Sequence, residues 1–421
     1  MKASLSTDTA LLLEHEHDLE QLVRGGLIHT HFSPVADLDS GAVIGHRVYH
    51  GIADAPADAA QFAGFRQSVR RSEHVADIDA SLRSLALREA ESLRLPRANR
   101  LFLTAEPQSL GTVEDRTGEP DRSAILQLHP DSITQAPAMT LRSVRQARAL
   151  GWGIGMASIG ADLRTTAFLP LVNPSVVMLH ATVLGIEDTS HLADLTRLLQ
   201  AHMERTGAIL VADGVHTEED VLKAQALGAH FGTGPWFGPA SRSPEPADPG
   251  DRDVLADHHT RNLIAQGTPF TIAQNLERDP LVMDGEMLTA QLRSLAERSL
   301  AAGESAVVIS VFGDVERLDP DTVGRFERIA DAVGYTVMLS AGFDTPPVAE
   351  ARGGQIDTSD PLRAEFCIIV IGPDWSGLTV AKRRFSPGPD GRTEYDVHVT
   401  TERYACVDAA RSVFSRIRTL R

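Results

Sequence analysis

Over its first 240 residues the chain alternates short apolar runs with stretches of helical periodicity, and no other feature narrows its fold as much. The runs are residues 31–36 (HFSPVA), 101–105 (LFLTA), 124–128 (AILQL), 153–156 (GIGM), 176–179 (VVML) and 208–212 (AILVA). Between several of them the apolar spacing predicts helices over 77–92, 140–150, 190–206 and 218–227, after an opening helix over 11–24. Strand–helix alternation sustained over this length is the pattern of a parallel α/β fold. Its size suits a closed barrel, although an open sheet satisfies the same periodicity.

The alternation breaks at residues 238–253 (GPASRSPEPADPGDRD), where four prolines and two glycines leave nothing with which to build a core element. The expected organisation is a barrel domain over 1–240, a linker over 241–259 and a second α/β domain over 260–421. In the second domain the pattern predicts helices over 285–302, 320–333 and 403–417. Strands are expected over 305–311, 335–341, 366–371, 378–382 and 393–400, with a turn at 386–392 (SPGPDGR).

Composition removes whole classes of function. Lys+Arg number 40 and Asp+Glu 57, a formal charge of −17. A general nucleic-acid binder needs the opposite balance, because its affinity comes from cations on phosphates. No helix-turn-helix stands out either. No apolar run reaches the length of a membrane span. The apolar patch at 10–13 is followed at once by Glu14, so no signal peptide is expected and the reading is a cytoplasmic protein. Cys367 and Cys406 are the two cysteines. They are expected to be reduced, not part of a disulfide framework.

Several segments of the first domain occur in an order that resembles one family. They are 31–45 (HFSPVADLDSGAVIG, keeping Pro34, Asp37, Leu38, Gly41 and Gly45), 101–110 (LFLTAEPQSL), 208–217 (AILVADGVHT) and 226–239 (ALGAHFGTGPWFGP). Together they resemble the EAL domain, the barrel-type cyclic di-GMP phosphodiesterase module. The resemblance implies a TIM-barrel-like fold and a site at the barrel mouth, where two divalent metals held by carboxylates activate water on a phosphodiester.

Carried over residue by residue, the resemblance implies a site stripped of its ligands. The glutamate of the naming motif falls at Arg47, within HRVY, and the asparagine ligand at Thr104. The first glutamate of the third segment falls at Gln127, with His129 and Pro130 beyond it. The paired aspartates fall at Ala157 and Ser158, and the lysine–any–aspartate strand end at Met178 and His180. Asp213 shortens the next glutamate, His216 takes the place of another, and Thr233 stands where a glutamine is expected. A guanidinium at position 47 puts a permanent positive charge where a dication would sit. Like charges a few ångströms apart cost several kcal/mol, about 4 kcal/mol at 4 Å in a partly shielded site. The phosphodiesterase chemistry is therefore expected to be absent, and no cofactor is expected.

Three readings of such a mouth compete. The pocket is filled and the barrel is a scaffold binding no nucleotide. Alternatively it is a silent receptor for a cyclic dinucleotide or another anionic small molecule, lined by Arg47, Gln127, His180 and Asp213, with the arginine gripping a phosphate or carboxylate. Or the chain is an enzyme after all, a residual cyclic di-GMP phosphodiesterase or a hydrolase whose metal site is rebuilt from His129, His180, Asp213 and His216. The bland reading of these histidines is that they are merely hydrogen-bonded.

Other groupings carry less. His15 and His17 lie two apart on a helix and face different ways. His258 and His259 read as a solvated face. GWGIG at 151–155 lacks the dinucleotide-binding spacing, and Trp152 reads as a packing residue. Residues 303–305 form a helix-to-strand connection with no phosphate-loop lysine.

The second domain resembles a DICT domain, a presumed sensory module. The resemblance rests on SVFG at 310–313, RFERIADAVGYTV at 325–337 and DPLRAEFCIIVIGPDWSGLTVAK at 360–382. Glu365 and Phe366 read as a capping and packing pair, Cys367 as a core residue, and Asp374–Trp375 as a turn offering an exposed aromatic. The chain as a whole is expected to be a non-catalytic signalling protein of bacterial type, with a signalling protein as partner. By resemblance it would be a homodimer joined through 159–171 (IGADLRTTAFLPL), with Leu163, Phe168 and Leu171 as contacts; the bland alternative packs them within the monomer.

Overall fold

The computed structural model describes residues 19, 21–23, 25–53, 55, 57–96, 99–113, 124–244, 267–386, 388 and 391–417. Most of the expected opening helix, His15 and His17, most of the linker, and His258 and His259 lie outside the described residues.

The first domain is a closed eight-stranded barrel. Its strands are β1 (Ile28–Asp37), β2 (Val43–Ile52), β3 (Arg100–Thr104), β4 (Ala124–Leu128), β5 (Gly153–Ile159), β6 (Val176–Leu179), β7 (Ile209–Asp213) and β8 (Phe231–Thr233). The helices are α1 (Ala59–Arg71), α2 (Val75–Ser92), α3 (Asp131–Gln135), α4 (Pro137–Ala149), α5 (Leu169–Val172), α6 (Thr189–Thr206) and α7 (Glu218–Ala226). From β2 to β8 neighbouring strands are parallel, whereas β1 runs antiparallel to both β2 and β8. This decides the earlier alternative in favour of a barrel over an open sheet.

Alternate residues point inward, as the strand period demands. Val35, Phe102, Ile125, Val176, Met178, Val211 and Phe231 fill the interior as an apolar plug, so the barrel is a packed core, not a pore. The glycines of GWGIG belong to this packing. A Cβ at Gly155 would stand 3.2 Å from Ile125 Cγ2 and 3.3 Å from the Val176 carbonyl. Trp152 is buried, with the Arg83 guanidinium 6.0 Å from its ring.

The second domain is a seven-stranded mixed sheet. Its strands are β9 (Leu281–Asp284), β10 (Val307–Phe312), β11 (Tyr335–Ser340), β12 (Arg352–Gln355), β13 (Glu365–Ile371), β14 (Ser376–Arg383) and β15 (Glu394–Thr400), in the order 12-11-10-13-14-15-9. Helices α9 (Gly285–Ser299) and α10 (Pro320–Ala332) cover one face, through Ala296, Phe326 and Ile329 on Val308, Met338 and Ile368. The other face takes α8 (Pro269–Gln274) and α11 (Arg403–Phe414), whose Phe270, Cys406, Val413 and Phe414 share a core with Ile309, Ile369 and Val380.

That core continues into the barrel domain. Phe168 meets Tyr335 edge-on at 5.3 Å, and Tyr335 in turn packs on Phe414. The guanidinium of Arg411 donates to the carbonyls of Leu171 and Pro170, both at 2.8 Å. Arg148 donates to Val172 O at 2.9 Å. Two guanidiniums, one from each domain, thus supply donors that the short helix α5 lacks at its end. Phe168 and Leu171 are buried and Leu163 is half-buried against the same core. The three residues expected to pair two copies are therefore packed within the chain, which is the alternative reading.

Candidate functional site at the barrel mouth

Chain reversal at β1 shapes the mouth. The β1–β2 ladder runs from Ile28↔Ile52 through Ser33↔Arg47 to Ala36↔Val43, so the hairpin continues past Arg47 and stands over one side of the opening. Its far end is held by α1 and α2, where Ile28 and Ile52 share a cluster with Phe65, Val69, Ile78 and Leu82. On its inner side Tyr49 stacks on Phe62 at 4.9 Å, and the Arg47 guanidinium lies 4.9 Å from the Tyr49 ring.

The uppermost inward positions carry the sequence-predicted residues. Arg47 on β2 forms an ion pair with Asp213 at the end of β7, both side chains mostly buried. Burial works against the charge on Arg47, but Asp213 beside it more than offsets this and holds it protonated. Its Nε has no partner. Tyr49 is pushed up to about 12 by burial, so it stays a neutral phenol. Gln127 donates from Nε2 to the Met178 sulfur at 3.4 Å, and its buried Oε1 lacks a partner. Thr233 meets Ser33 hydroxyl to hydroxyl at 3.4 Å. Ala157 and Met178 are buried in the apolar plug. Ser158 has φ +60°, at the point where the β5–β6 register shifts.

The rest of the expected set does not join them. His180 is turned to its own loop, with Nδ1 2.8 Å from Thr182 Oγ1 and accepting the Thr182 amide at 3.2 Å. His129 Nδ1 pairs with Asp131 at 3.2 Å. His216 is exposed, its amide donating to Asp220 at 2.9 Å in the cap of α7. Among the described residues no three His, Cys, Asp or Glu side chains converge on a point. The four-ligand set of His129, His180, Asp213 and His216 is therefore not assembled: Asp213 is taken by Arg47, the imidazoles of His129 and His180 bond within their own loops, and His216 is exposed in the cap of α7. Of the receptor set, Arg47, Gln127 and Asp213 share the inward ring at the mouth, and His180 is bonded away from it.

Sequence reasoning missed a buried charge cluster beside the mouth. Arg66 donates to Asp79 at 2.6 Å and to Glu106 at 2.7 Å, and Arg70 donates to Glu106 at 2.7 Å. Arg83 lies 3.5 Å from Asp79 and donates to Ser109 at 3.1 Å, while Ser109 donates to Asp79. The Glu106 amide donates to Asp79 at 3.1 Å. The cluster braces the loop after β3 against α1 and α2. A cavity of about 40 Å³ opens above it, lined by Tyr49, His50, Arg66, Arg83 and Thr104. The i, i+4 pairs Arg66–Arg70 and Asp79–Arg83 were the only sequence signal, and that spacing is common on solvated helix faces.

In the second domain Glu365 behaves as its sequence suggested. Its fully buried carboxylate accepts the Phe270 amide at 3.0 Å, at the start of α8, and lies 3.0 Å from Lys382 Nζ. Burial pushes Glu365 upward against these partners. Cys367 and Cys406 are free and buried. Trp375 does not project: it is half-buried under Arg298, 4.5 Å from the ring, and Asp374 pairs with Arg197 of the barrel.

The fold and the ring of polar side chains at the carboxyl ends of its strands define a barrel protein of the TIM type, whose sites lie at that end. The model of the EAL domain matches residues 16–240. The chain belongs to the EAL domain family and is thereby related to proteins that bind or hydrolyse cyclic di-GMP. Similar solved structures include the EAL enzyme Bd1971 in a cGMP-bound form, 16% identical, covering 57% of this chain and 68% of that one, with a TM-score of 0.47. Another is BlrP1 of Klebsiella pneumoniae in a manganese and cyclic di-GMP complex, 16% identical, covering 51% of this chain and 56% of that one, TM-score 0.43. The EAL domain of Xanthomonas citri FimX in complex with cyclic di-GMP is 14% identical, covering 56% of this chain and 96% of that one, TM-score 0.45. No curated protein matches the chain. Among the described residues no helix is long and apolar enough to cross a membrane.

Proposed function

We propose that this chain is a non-catalytic signalling protein, in which a degenerate EAL barrel acts as a receptor or interaction regulator coupled to a DICT-like second domain. The observation that carries the reading is the ion pair between Arg47 and Asp213 at the mouth. Two divalent metals need several convergent carboxylates. Of the residues at the expected positions Asp213 is the one carboxylate, and a guanidinium already neutralises it. Thr104, Gln127, Ala157 and Met178 offer hydroxyl, amide or apolar groups, which do not fit a pair of dications.

The same arrangement suits an anion. A phosphate or carboxylate approaching the mouth would compete with Asp213 for a guanidinium able to bind it in bidentate fashion. The ligand class is therefore a cyclic dinucleotide or another anionic small molecule. The barrel's signal would pass to the second domain through the shared core around Phe168, Tyr335 and Phe414.

Calorimetric titration with cyclic di-GMP, with and without magnesium or manganese, tests the reading when the recovered nucleotide is also checked for cleavage. Saturable binding of intact nucleotide, weakened in Arg47→Ala, is the receptor outcome. Metal-dependent cleavage would overturn the non-catalytic reading. Neither heat nor cleavage would leave the barrel as a scaffold and remove the cyclic dinucleotide from the proposal.

A further inference from the structure

A second concentration of positive charge lies where the two domains meet, away from the mouth. A pocket of about 20 Å³ is lined by His202 and Arg205 of α6, by Arg403 at the start of α11, by Pro373 in the β13–β14 turn, and by Thr166 and Ser305. Arg205 and Arg403 face it from different domains. Arg403 donates to the carbonyl of Gly372 at 2.9 Å, and Arg205 donates to the carbonyl of Pro373. Backbone carbonyls orient a guanidinium without cancelling its charge. The nearby carboxylate, Asp374, is itself paired with Arg197.

His202 sharpens the picture. It is buried, only 8% exposed, and its Nε2 has no hydrogen-bond partner. A buried polar atom without a partner costs stability unless something supplies the missing bond. Burial, then Arg403 and Arg205, push His202 down to about 4. Burial and then Arg205 push Arg403 down to about 10. In both cases burial comes first and the neighbouring guanidiniums add to it.

We infer that this pocket is a binding site for a small tetrahedral oxyanion, phosphate or sulfate, which bridges Arg205 of the barrel to Arg403 of the second domain. Its enclosed part has room for about one water and none for a nucleoside, so the group would sit at the open rim, with one oxygen reaching inward. Arg205 is exposed at the rim and gives the anion a way in. An anion held there would tie α6 to α11, so its concentration would set how firmly the two domains dock. The inference does not depend on the mouth being a receptor, since it uses none of the mouth's residues.

The test is calorimetric titration of the full chain with inorganic phosphate, sulfate, acetate and adenosine monophosphate. Arg205→Gln, Arg403→Gln and, as a control on a guanidinium outside the pocket, Arg197→Gln are titrated alongside, with circular dichroism to verify folding. Saturable phosphate binding should weaken at least about tenfold in each pocket variant, the loss of one charged hydrogen bond, and by less than about twofold in Arg197→Gln. Adenosine monophosphate binding weaker than phosphate is the result expected for a free ion; binding as tight or tighter would identify a phosphate that is the tip of a larger molecule lying outside the pocket. Acetate as tight as phosphate would overturn the tetrahedral preference. In the unmodified protein, phosphate should move the His202 imidazole resonances. A silent His202, absence of saturable heat, or equal binding in the unmodified protein and both pocket variants would overturn the inference, the outcome being an adventitious ion only.

Discussion

The barrel mouth and the domain junction are both rich in arginine, yet they neutralise it in opposite ways. At the mouth Arg47 meets a carboxylate from the opposite side of the ring. At the junction Arg148, Arg205 and Arg403 meet backbone carbonyls, Arg411 meets two carbonyls and Asp408 at 3.0 Å, and Asp374 is paired with Arg197. A carboxylate cancels charge, whereas a carbonyl fixes geometry and leaves the charge in place. The first arrangement fills the mouth with a paired charge; the second ties two domains together through guanidiniums on backbone carbonyls.

That contrast can be broken most severely at Arg411. Its replacement by Ala leaves the carbonyls of Pro170 and Leu171 without donors inside the interface. At about 1.5 kcal/mol for each of the two unpaired carbonyls, the expected loss is about 3 kcal/mol. Urea unfolding should show it, with the two domains separating into distinct transitions; a single unshifted transition would mean that the junction contributes little. At the mouth, Asp213→Ala strands Arg47 among buried neighbours. The pair keeps some contact with solvent, so the cost should be about 2 kcal/mol, below that of a fully buried pair. A thermal melt reads this directly, and an unchanged melt would show that water already screens the pair.

Acid probes both regions at once. His46 and His50 in the barrel and His202 at the junction are each pushed by burial from 6.5 to about 4. The unfolded chain therefore takes up protons that the folded one refuses, and stability falls as pH drops from 6.5 towards 4. At about pH 5.5 each histidine should withhold about 1 kcal/mol. His202→Gln should remove its own share of the acid sensitivity while leaving that of the barrel pair, a difference visible in denaturation at two pH values. The smallest effect is expected from replacing the mouth pair together. Arg47→Met with Asp213→Leu exchanges a mostly buried ion pair for apolar volume and should change stability by less than about 1 kcal/mol. A large loss in the double variant would mean that the polar ring depends on the pair for more than charge balance.

Much of this was legible in the sequence, for reasons that differ from element to element. β6 is a continuous apolar run and β4 is one but for Gln127, and the structure places both where the runs lie. α6 and α10 carry clear periodicity. The helix Ala59–Arg71 was missed, although Phe62, Phe65 and Val69 form its buried stripe, because Gly64 and the polar residues between them dilute the pattern. β12 (RGGQ) has no strand propensity of its own and exists because β11 offers a parallel edge. β8 is three residues long and is fixed by closing the barrel between β7 and β1. The mouth positions were legible through spacing, since Arg47, Gln127, Met178, Asp213 and Thr233 all point inward. What they do to one another was not. The pairing of Arg47 with Asp213, 166 positions apart in the chain, follows from the curvature of the ring, and the cluster of Arg66, Asp79 and Glu106 follows from how two helices lean on β3.

The reversed first strand also gives the experimenter an entry point. Because β1 begins at the mouth end, Leu27, just ahead of it and half-exposed, lies on the same side of the barrel as Arg47 and Asp213. The two native thiols are buried and their acidity is suppressed, so they compete poorly for alkylating dyes. A fluorophore on Leu27→Cys would therefore be carried by the hairpin that overhangs the opening, and would report on that opening without further cysteine replacements.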